Sequence, residues 1–353
     1  MIKKELERRQ APSLFKDISS ASAWEGKREG VLKLFLENEY GAPPPRIKPS
    51  VEKIEENWID FAGKARWESI YLKFENNGKE HTVRTDLLLP TANKKPPVLL
   101  YIAMNPEIPS KYLPVEEILD SGFAIYTFYY QDVTSDSEER DGLAHIFDDA
   151  DCGKISFWAY MASACMDYLE QRSEVDAGSV AVVGHSRLGK TALLASALDE
   201  RFILTCSNNS GCCGAALSRG KVAGNETLEK ITEVFPFWFC KKFFDYVGNE
   251  ENLPFDQHML LSLIAPRYVM IGTAIQDVWA DNDGQFLSCV LASEAWSLYG
   301  KSGLVAPNEI PSKGVKYLDG HICFHMREGT HFLSRNDWQV YMEKFKMILG
   351  DKK

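Results

Sequence analysis

The sequence predicts an α/β protein with a mostly parallel, doubly wound sheet and helices on both faces. Two observations lead to this class. From residue 97 onwards, short runs of β-branched and aromatic residues alternate with segments whose apolar residues recur at helical spacing. This alternation of strand, helix and strand is typical of parallel sheets. The chain of 353 residues, 45% of them apolar and 25% charged, is also long enough to bury a large core.

Residues 1–65 precede the regular alternation, and we interpret them as an N-terminal extension that wraps the domain of residues 66–353. The segment Gly41-Ala42-Pro43-Pro44-Pro45-Arg46 is too rich in proline for a helix and favours a polyproline II strap. The first ten residues carry charges without a following apolar run, which argues against a secretory signal. No segment approaches the roughly 18 apolar residues of a spanning helix, so we expect a cytoplasmic protein.

The elements after residue 66 follow from local patterns. Asn76-Asn77-Gly78 separates two β-type runs and predicts a hairpin, because asparagine and glycine tolerate the positive φ angles of tight turns. A helix is predicted over residues 155–169, where apolar residues recur every three or four positions. Residues 217–257 are interpreted as a long excursion that forms a pocket wall. The predicted strands are residues 67–74, 81–89, 97–103, 123–129, 180–183, 202–207, 268–273 and 322–325, and the further helices are residues 115–121, 288–299 and 338–349.

The charge balance and the cysteines limit the classes of partner and cofactor. A formal net charge of −10 without a basic cluster argues against nucleic acid and against an anionic membrane surface, because both rely on concentrated lysine and arginine. The eight cysteines contain no CxxC pair and no zinc-ligand spacing. We expect reduced thiols, with a disulfide from Cys212 or Cys213 left open.

The chain is organised around residues 180–191, where a buried β-branched strand meets an alanine-rich helix at a glycine-framed turn. Two chemistries fit this turn. As a nucleophile elbow, it exposes the Ser186 hydroxyl over the edge of the sheet, with backbone N–H groups available to an oxyanion. As a phosphate-binding loop, Gly184 to Thr191 satisfies G-x-x-x-x-G-K-[ST], with Lys190 and Thr191 in the phosphate and magnesium roles.

The position of the turn and its partners favour the elbow. A phosphate loop normally follows the first strand of a sheet and needs an aspartate at another strand end, whereas this turn follows two parallel strands. A serine hydrolase of this topology requires an acid at a later strand end and then a histidine near the C-terminus. Asp277 follows the strand of residues 268–273, and His331 follows the last strand. The sequence therefore predicts an α/β-hydrolase fold with a triad of Ser186, His331 and Asp277.

Two cations follow Ser186 in the first turn of the predicted helix. Such cations face the positive end of the helix dipole and cost on the order of a few tenths of a kcal/mol each, which suggests that they have a use. Arg187 is placed so that its positive charge can stabilise a developing oxyanion. Lys190, about one turn later, is placed to donate hydrogen bonds to substrate hydroxyl groups. The alternative, in which both side chains extend into solvent, stays open.

Several motifs together resemble the glucuronoyl esterases of carbohydrate esterase family 15. The resemblance covers roughly residues 95–350 and rests on the Ser-Arg-x-Gly-Lys elbow at residues 186–190, Asn208-Asn209-Ser210-Gly211 with Gly214-Ala215-Ala216, Leu253-Pro254 with Asp256-Gln257-His258, Ile264-Ala265-Pro266-Arg267 and Gly329-Thr330-His331. It implies an α/β-hydrolase without metal or cofactor. It also implies cleavage of the ester between glucuronic acid on xylan and lignin alcohols.

The resemblance implies roles for individual residues. Ser186 is the nucleophile, and His331 is the base. Arg187 is the side chain that stabilises the oxyanion, and Lys190 is a ligand of sugar hydroxyl groups. Trp279 is similar to the family's tryptophan beside the sugar.

One position departs from the fungal members of the family. They place the acid in a Glu-Ser-Gly sequence after the strand that follows the elbow, where this chain has Asn209. Because an amide cannot balance the charge of an imidazolium, the acid role is assigned to Asp277, the position used in some bacterial relatives. Asp281 and Asp283 remain alternatives for the acid. Glu233, in the excursion, is a candidate for contacting the sugar.

We therefore expect a serine carboxylic-ester hydrolase that acts on a small carbohydrate ester or oligosaccharide, first of all a (4-O-methyl-)glucuronoyl ester. An acetyl ester of xylan or of a sugar is the alternative on the same triad. A P-loop nucleotide-binding protein and a non-catalytic sugar-binding relative are the alternatives from other classes. His321 and His325 are the alternatives to His331 as the base. The sequence leaves the leaving alcohol and the oligomeric state open.

Overall fold

The structure is a computed structural model that describes residues 2–351. Within these residues ten strands belong to one sheet: β1 (Ser50–Asn57), β2 (Ala65–Asn76), β3 (Lys79–Pro90), β4 (Pro97–Ala103), β5 (Ala124–Tyr129), β6 (Asp176–His185), β7 (Phe202–Asn208), β8 (Tyr268–Ala274), β9 (Val315–Tyr317) and β10 (Ile322–Arg327). The same part of the chain forms eleven α-helices: α1 (Ile2–Arg9), α2 (Ala21–Asn38), α3 (Val115–Asp120), α4 (Tyr130–Val133), α5 (Gly142–Ile146), α6 (Lys154–Leu169), α7 (Arg187–Leu198), α8 (Leu228–Val234), α9 (Gln257–Ser262), α10 (Asn282–Leu298) and α11 (Arg335–Asp351). Short 3₁₀ turns are found at Asp60–Gly63, Pro236–Trp238, Lys241–Tyr246, Glu250–Asn252 and Val278–Ala280.

The strands lie in the order β1-β2-β3-β5-β4-β6-β7-β8-β10-β9. The six strands from β5 to β10 in this order pair in parallel. At one edge of the sheet, β1, β2, β3 and β5 pair antiparallel. At the other edge, β9 pairs antiparallel with β10. The chain passes from β4 to β5 on one side of β4 and then to β6 on its other side. In open α/β sheets, ligands bind at the carboxyl ends of the strands beside such a switch point. The end of β6 is therefore the favoured place for a site.

Helices cover both faces of the sheet, which confirms the predicted α/β class. On one face, a buried cluster that includes Trp158 of α6, Leu193 of α7 and Trp296 of α10 packs against the strands. On the other face, α3 and α11 contribute a second cluster that includes Trp338 and Phe345. Each large apolar side chain that is fully buried stabilises the fold by about 1.5–3 kcal/mol. The two apolar layers therefore hold the strand ends in place.

The observed elements follow the sequence prediction closely in the parallel part of the sheet. β4 covers the predicted residues 97–103, and the hairpin turn has positive φ angles at Asn77 (50°) and Gly78 (76°). β1 lies inside the predicted extension and is exposed along nearly its whole length, so it lacks the apolar alternation that marks a half-buried strand. α10 begins at Asn282 rather than at residue 288, because Asp281 caps it by accepting from the Gly284 N–H at 2.9 Å.

The proline-rich part of the extension lies across α6. The Gly153 N–H donates to the Tyr40 carbonyl at 2.8 Å, and the Ile47 N–H donates to the Tyr160 hydroxyl at 2.8 Å. α6 is buried along its whole length, because it packs against α7 as well as the sheet and is also covered by this segment.

All eight cysteines are free thiols, and Sγ of Cys212 lies 3.8 Å from Sγ of Cys213 without a bond between them. The structure thus has no disulfide at Cys212 or Cys213. Between residues 2 and 351, no helix has the length and mean hydropathy needed to cross a bilayer.

Candidate active site

Ser186 lies at the turn from β6 into α7. Its φ of 58° and ψ of −125° are rare for a residue with a side chain, a strain on the order of 1–3 kcal/mol. Two glycines allow this turn: a Cβ at Gly184 would lie 1.9 Å from the Leu188 carbonyl oxygen, and a Cβ at Gly189 would lie 3.0 Å from Cβ of Ser210. The second glycine of the motif therefore allows α7 to approach the loop that follows β7.

The structure brings Ser186, His331 and Asp277 together in one hydrogen-bonded chain. Oγ of Ser186 lies 2.9 Å from Nε2 of His331, and Nδ1 of His331 lies 2.6 Å from Oδ2 of Asp277. The three residues follow β6, β10 and β8, which are parallel and end at the same edge of the sheet. In this geometry Nε2 can accept the serine proton while the carboxylate holds Nδ1–H.

The Asp277 carboxylate is buried and accepts a second hydrogen bond, from Nδ2 of Asn209 at 2.5 Å. Burial opposes the ionisation of this carboxyl, but the hydrogen bonds and charge of His331 and the hydrogen bond from Asn209 outweigh it, so the pKa of Asp277 lies below its usual value. The acid is therefore ionised at neutral pH. Asn209, at the position that holds the acid in the fungal pattern, here contacts the acid instead.

The loop that carries His331 is held by Gln276, the residue before the acid. The Gln276 N–H donates to the Gly329 carbonyl at 3.0 Å, and its side-chain Oε1 accepts from the Gly329 N–H. Gly329 has a φ of 110°, which favours glycine. The segment that carries Asp277 therefore also fixes the loop of the imidazole.

A second imidazole packs against the first. The ring centroid of His185 lies 4.6 Å from that of His331, and Nδ1 of His185 is paired with Oδ1 of Asn208 at 2.7 Å. Burial, together with the nearby His331, lowers the pKa of His185 to about 3. His185 is therefore neutral at neutral pH, so that it does not oppose a positive charge on His331.

Ser186 faces a pocket of about 380 Å³, a size typical of small-molecule sites. Trp279, with 47% of its surface exposed, lines one part of it. The stacked rings of Phe235 and Trp238, whose centroids are 3.9 Å apart, line another. The lining residues are Ser186, Arg187, Lys190, Asn209, Ser210, Gly211, Glu226, Phe235, Trp238, Asp277, Trp279, Ala280 and His331.

Arg187 lies against the aromatic wall of the pocket and does not extend freely into solvent. Its Cζ lies 4.8 Å from the ring centroid of Phe235 and 4.7 Å from that of Trp238. The guanidinium forms an ion pair with Asp136, which also accepts from Nε1 of Trp238 at 2.7 Å and from the Tyr130 hydroxyl at 3.0 Å. Nε of Arg187 is buried and has no hydrogen-bond partner among residues 2–351. A fixed guanidinium with an unpaired N–H suits a developing negative charge.

Lys190 and Glu226 place opposite charges in the pocket. Both are buried, and Nζ of Lys190 lies 3.8 Å from Oε2 of Glu226. Nζ also donates to the Ser210 carbonyl, and the Glu226 N–H donates to the Trp279 carbonyl at 2.9 Å. The ammonium group can donate, and the carboxylate can accept, hydrogen bonds with sugar hydroxyl groups.

The structure corrects the assignment of Glu233. Its side chain is 63% exposed on α8, pairs with Lys230 at 2.8 Å and lies outside the pocket. The excursion instead contributes Glu226, whose backbone is bonded to the segment of Trp279. Sequence spacing does not distinguish the two glutamates, because the difference lies in which of them faces that segment.

The alternatives for the acid and the base lie elsewhere in the described structure. Asp281 is bound by Arg9, with two nitrogen–oxygen distances of 2.8 Å, and Asp283 does not line the pocket. His321 stacks on a tyrosine ring, and His325 lies against a buried aspartate.

The turn is also not built as a phosphate loop. The Thr191 hydroxyl is buried and donates to the Arg187 carbonyl at 2.9 Å. Nζ of Lys190 donates to the protein's own backbone at Ser210. The hydroxyl that would serve magnesium is therefore engaged inside the protein, and Lys190 faces the Glu226 carboxylate, which would repel a phosphate.

The sequence analysis did not identify two carboxylates of this site: Glu226, which lines the pocket, and Asp136, which holds the lining residues Arg187 and Trp238. Asp136 is 51 residues from its partner Arg187 along the chain. Asp136 lies among other acidic residues, and Glu226 follows a run of small and polar residues, so that no local pattern marks either as part of the site. A clue exists for the wall itself, since three aromatic residues occur within Phe235 to Trp238.

Comparison with known proteins identifies the family. Residues 72–300 match the family model described as glucuronyl esterase of fungi, which is more than half of the chain. The chain belongs to carbohydrate esterase family 15. It is 41% identical over 239 residues to the carbohydrate esterase MZ0003 from an unknown prokaryotic organism, in an alignment that covers 65% of this chain and 54% of that protein. The family 15 chain thus spans about half the length of this relative.

Solved structures of the family superpose over nearly the whole chain. A glucuronoyl esterase from Solibacter usitatus is 31% identical with a TM-score of 0.84, over 93% of this chain and 94% of that one. A promiscuous family 15 esterase from a marine bacterial metagenome is 30% identical with a TM-score of 0.85, over 96% of this chain and 98% of that one. The family 15 fold therefore extends to both sides of the segment that the family model matches.

Proposed function

We propose that this protein hydrolyses a carboxylic ester whose acyl part is a hexuronate, first of all glucuronate, by two-step acyl transfer through Ser186. The observation that carries the proposal is the hydrogen-bonded chain of Ser186, His331 and Asp277 at a pocket lined by buried Lys190 and Glu226. The names of its relatives, glucuronoyl esterase among them, support the same substrate class.

In the first step His331 takes the proton of Ser186, and Oγ attacks the ester carbonyl. The negative charge that develops on the carbonyl oxygen is met by two donors. One is the backbone N–H of Arg187, the first of α7, which has no intrahelical acceptor. The other is the guanidinium of Arg187, which lines the pocket and is held in place by Asp136.

The protonated His331 then donates its proton to the alcohol oxygen as the C–O bond breaks, which leaves the acyl group on Ser186. The ionised Asp277 stabilises the imidazolium during this step. A water molecule, deprotonated by His331, attacks the acyl-enzyme. His331 then returns this proton to Oγ of Ser186 as the acyl bond breaks and the uronic acid leaves. Every proton is accounted for by the imidazole, without a further acid or base.

The pocket favours a uronate over an acetyl group. An acetyl group fills little of the 380 Å³ and offers no hydroxyl to the buried pair of Lys190 and Glu226. The hydroxyl groups of a uronate ring offer acceptors to Lys190 and donors to Glu226, and its apolar ring face suits an exposed indole such as that of Trp279. Because the two buried charges gain hydrogen-bond partners only from the larger acyl group, the uronate ester is the better substrate.

The test compares kcat/KM for the methyl ester of glucuronate with that for acetylated xylose. We expect the glucuronate ester to be favoured by at least about tenfold. Fluorophosphonate should label Ser186, and Ser186→Ala should lose both labelling and turnover while it keeps the melting temperature of the wild type. A preference for the acetyl ester would refute the acyl assignment. Absence of labelling and of turnover of both esters would refute the hydrolase itself.

A further inference from the structure

Arg9, the last residue of α1, reaches the segment between β8 and α10 that forms one side of the pocket. This segment, residues 275–281, contains Asp277 and ends with Asp281, and Trp279 and Ala280 between them line the pocket. Asp281 has a φ of 53°, and it caps α10. The triad acid and the exposed indole are thus within four residues of a carboxylate that α1 holds.

The contact is a buried, two-pronged ion pair. Nη1 of Arg9 lies 2.8 Å from Oδ2 of Asp281, and Nη2 lies 2.8 Å from Oδ1. The Arg9 and Asp281 side chains are only 1% and 2% exposed. Lys221 adds a second cation, with Nζ 2.9 Å from Oδ2. Burial opposes the charge on Asp281, but the two cations outweigh it and lower the pKa of the carboxyl.

Two glycines make room for Arg9. A Cβ at Gly220 would lie 2.8 Å from Cα and Cγ of Arg9. A Cβ at Gly284 would lie 2.9 Å from Nη1 of Arg9 and 2.3 Å from Oδ2 of Asp281. At both places where the arginine contacts the backbone, the absence of a side chain leaves room for it. This indicates a specific binding site for Arg9 and not a chance surface contact.

The segment of residues 275–281 is also bound by the loop that carries Glu226, between β7 and α8. The Glu226 N–H donates to the Trp279 carbonyl at 2.9 Å, and Nδ2 of Asn225 donates to the Val278 carbonyl at 2.9 Å. Lys221 belongs to the same stretch of chain. The ion pair with Arg9 thus anchors a unit that contains Trp279, Glu226 and Asp277 together.

We propose that Arg9 is a positioning residue for this pocket: through Asp281 it sets the orientation of Trp279 and of the triad acid. The inference rests on the proposed function for its kinetic consequence. The polar partners of Arg9 are Asp281 and, at 3.3 Å, the Arg219 carbonyl, and neither residue lines the pocket. Arg9 also lies outside the matched residues 72–300, so it acts on the pocket through these contacts. A fixed guanidinium fork preserves geometry better than a lysine, because it binds both carboxylate oxygens at once.

The experiment measures Arg9→Met and Arg9→Lys in the full-length chain. For Arg9→Met we expect kcat/KM for the glucuronate ester to fall roughly 10- to 100-fold, since small displacements of reacting groups cost that much. Amide hydrogen exchange of residues 275–281 should become faster in the same variant. Arg9→Lys keeps the charge without the fork and should lie between the wild type and Arg9→Met in both measurements.

Arg172→Met is the matched control. Arg172 forms an equally two-pronged, largely buried pair with Glu68, at 2.6 and 3.0 Å, on β2, which is separated from β8 by five strands. Its loss should lower the melting temperature and leave kinetics and exchange of residues 275–281 unchanged.

The outcomes separate the two proposals. If Arg9→Met lowers only the melting temperature, as the control does, the positioning role is refuted. If Arg9→Met does not fold, Arg9→Lys decides: wild-type kinetics and exchange in that variant refute the role. Should the wild type itself turn over no ester, the proposed function fails, whereas the exchange of residues 275–281 still tests the action of Arg9.

Discussion

The two sides of the pocket are built by different means. Ser186, Asp277 and His331 each follow a parallel strand, so that the topology of the sheet brings them to one edge. The opposite wall, with Glu226 and the stacked rings, comes from segments outside the sheet, as does Asp136, which holds Arg187 and Trp238. The chemistry is thus placed by the strand order, whereas recognition is placed by side-chain contacts between distant loops.

The two sides also differ in their electrostatics. On the strand side one ionised carboxylate serves one imidazole, and the charge on that imidazole changes during the reaction. On the wall each cation has its own anion, Asp136 for Arg187 and Glu226 for Lys190. We therefore expect substitutions in the triad to lower kcat. On the wall, substitution of a residue that orients an oxyanion donor should lower kcat, and substitution of a residue that binds the sugar should raise KM.

The largest effect is expected for Asp277→Asn. The amide keeps the shape but cannot hold Nδ1–H and balance the imidazolium, so that kcat should fall about 10⁴-fold. The measurement is kcat for the glucuronate ester, together with the melting temperature. Asp283→Asn, at the acid that sequence analysis left as an alternative, should keep wild-type activity. Comparable losses in the two variants would contradict the assignment of the acid.

Asp136→Asn tests whether the wall supports chemistry as well as binding. The amide can still accept from Trp238, but it no longer fixes the Arg187 guanidinium by charge. Because the loss of one oxyanion donor costs about 10²–10³ in kcat, we expect a decrease of up to that size with little change in KM. Asp132→Asn, at a carboxylate that lines a different cavity, is the control. A decrease confined to KM would show that Arg187 only binds the substrate.

Glu39→Gln examines a buried carboxyl behind the wall that has hydrogen bonds from Gln257, at 2.9 and 3.2 Å. Burial raises the pKa of Glu39 from 4.5 to about 7. The folded state then binds the proton more tightly than the unfolded state, so that stability is full below pH 4.5 and is lost as pH rises to about 7. A difference of this size corresponds to about 3 kcal/mol.

Urea unfolding at pH 5 and pH 8 measures this effect. Glu39→Gln should be more stable than the wild type at pH 8 and close to it at pH 5. The exposed Glu37, replaced in the same way, should follow the wild type at both values. An unchanged pH dependence in Glu39→Gln would mean that another group is responsible.

The smallest effect is expected for Glu226→Gln. The variant keeps the shape and one acceptor but loses the charge that faces Lys190, so that KM should rise about tenfold while kcat changes little. Glu233→Gln, on the exposed face of α8, should have no effect. If Glu233→Gln changes KM and Glu226→Gln does not, our correction of the sugar ligand is wrong.

The strand side could be predicted from sequence to a large extent. The strands β4 to β8, the turn at Ser186 and the chain order of the serine, the acid and the histidine all follow from local patterns and from the rules of parallel sheets. The wall could not be predicted in the same way. Glu226 and Glu233 differ only in the segment that each faces, and Asp136 is identified only by its contact with Arg187.

The sequence by itself determined the α/β class, the position of the nucleophile and the candidates for its partners, because burial periodicity and turn chemistry are encoded over a few neighbouring residues. Only the tertiary structure decided that Asp277 and not Asp281 faces the imidazole, and that Arg9 holds Asp281 across 272 residues. The physical reason is that a charge buried by folding needs a partner, and that partner is selected by proximity in space, which no local pattern records.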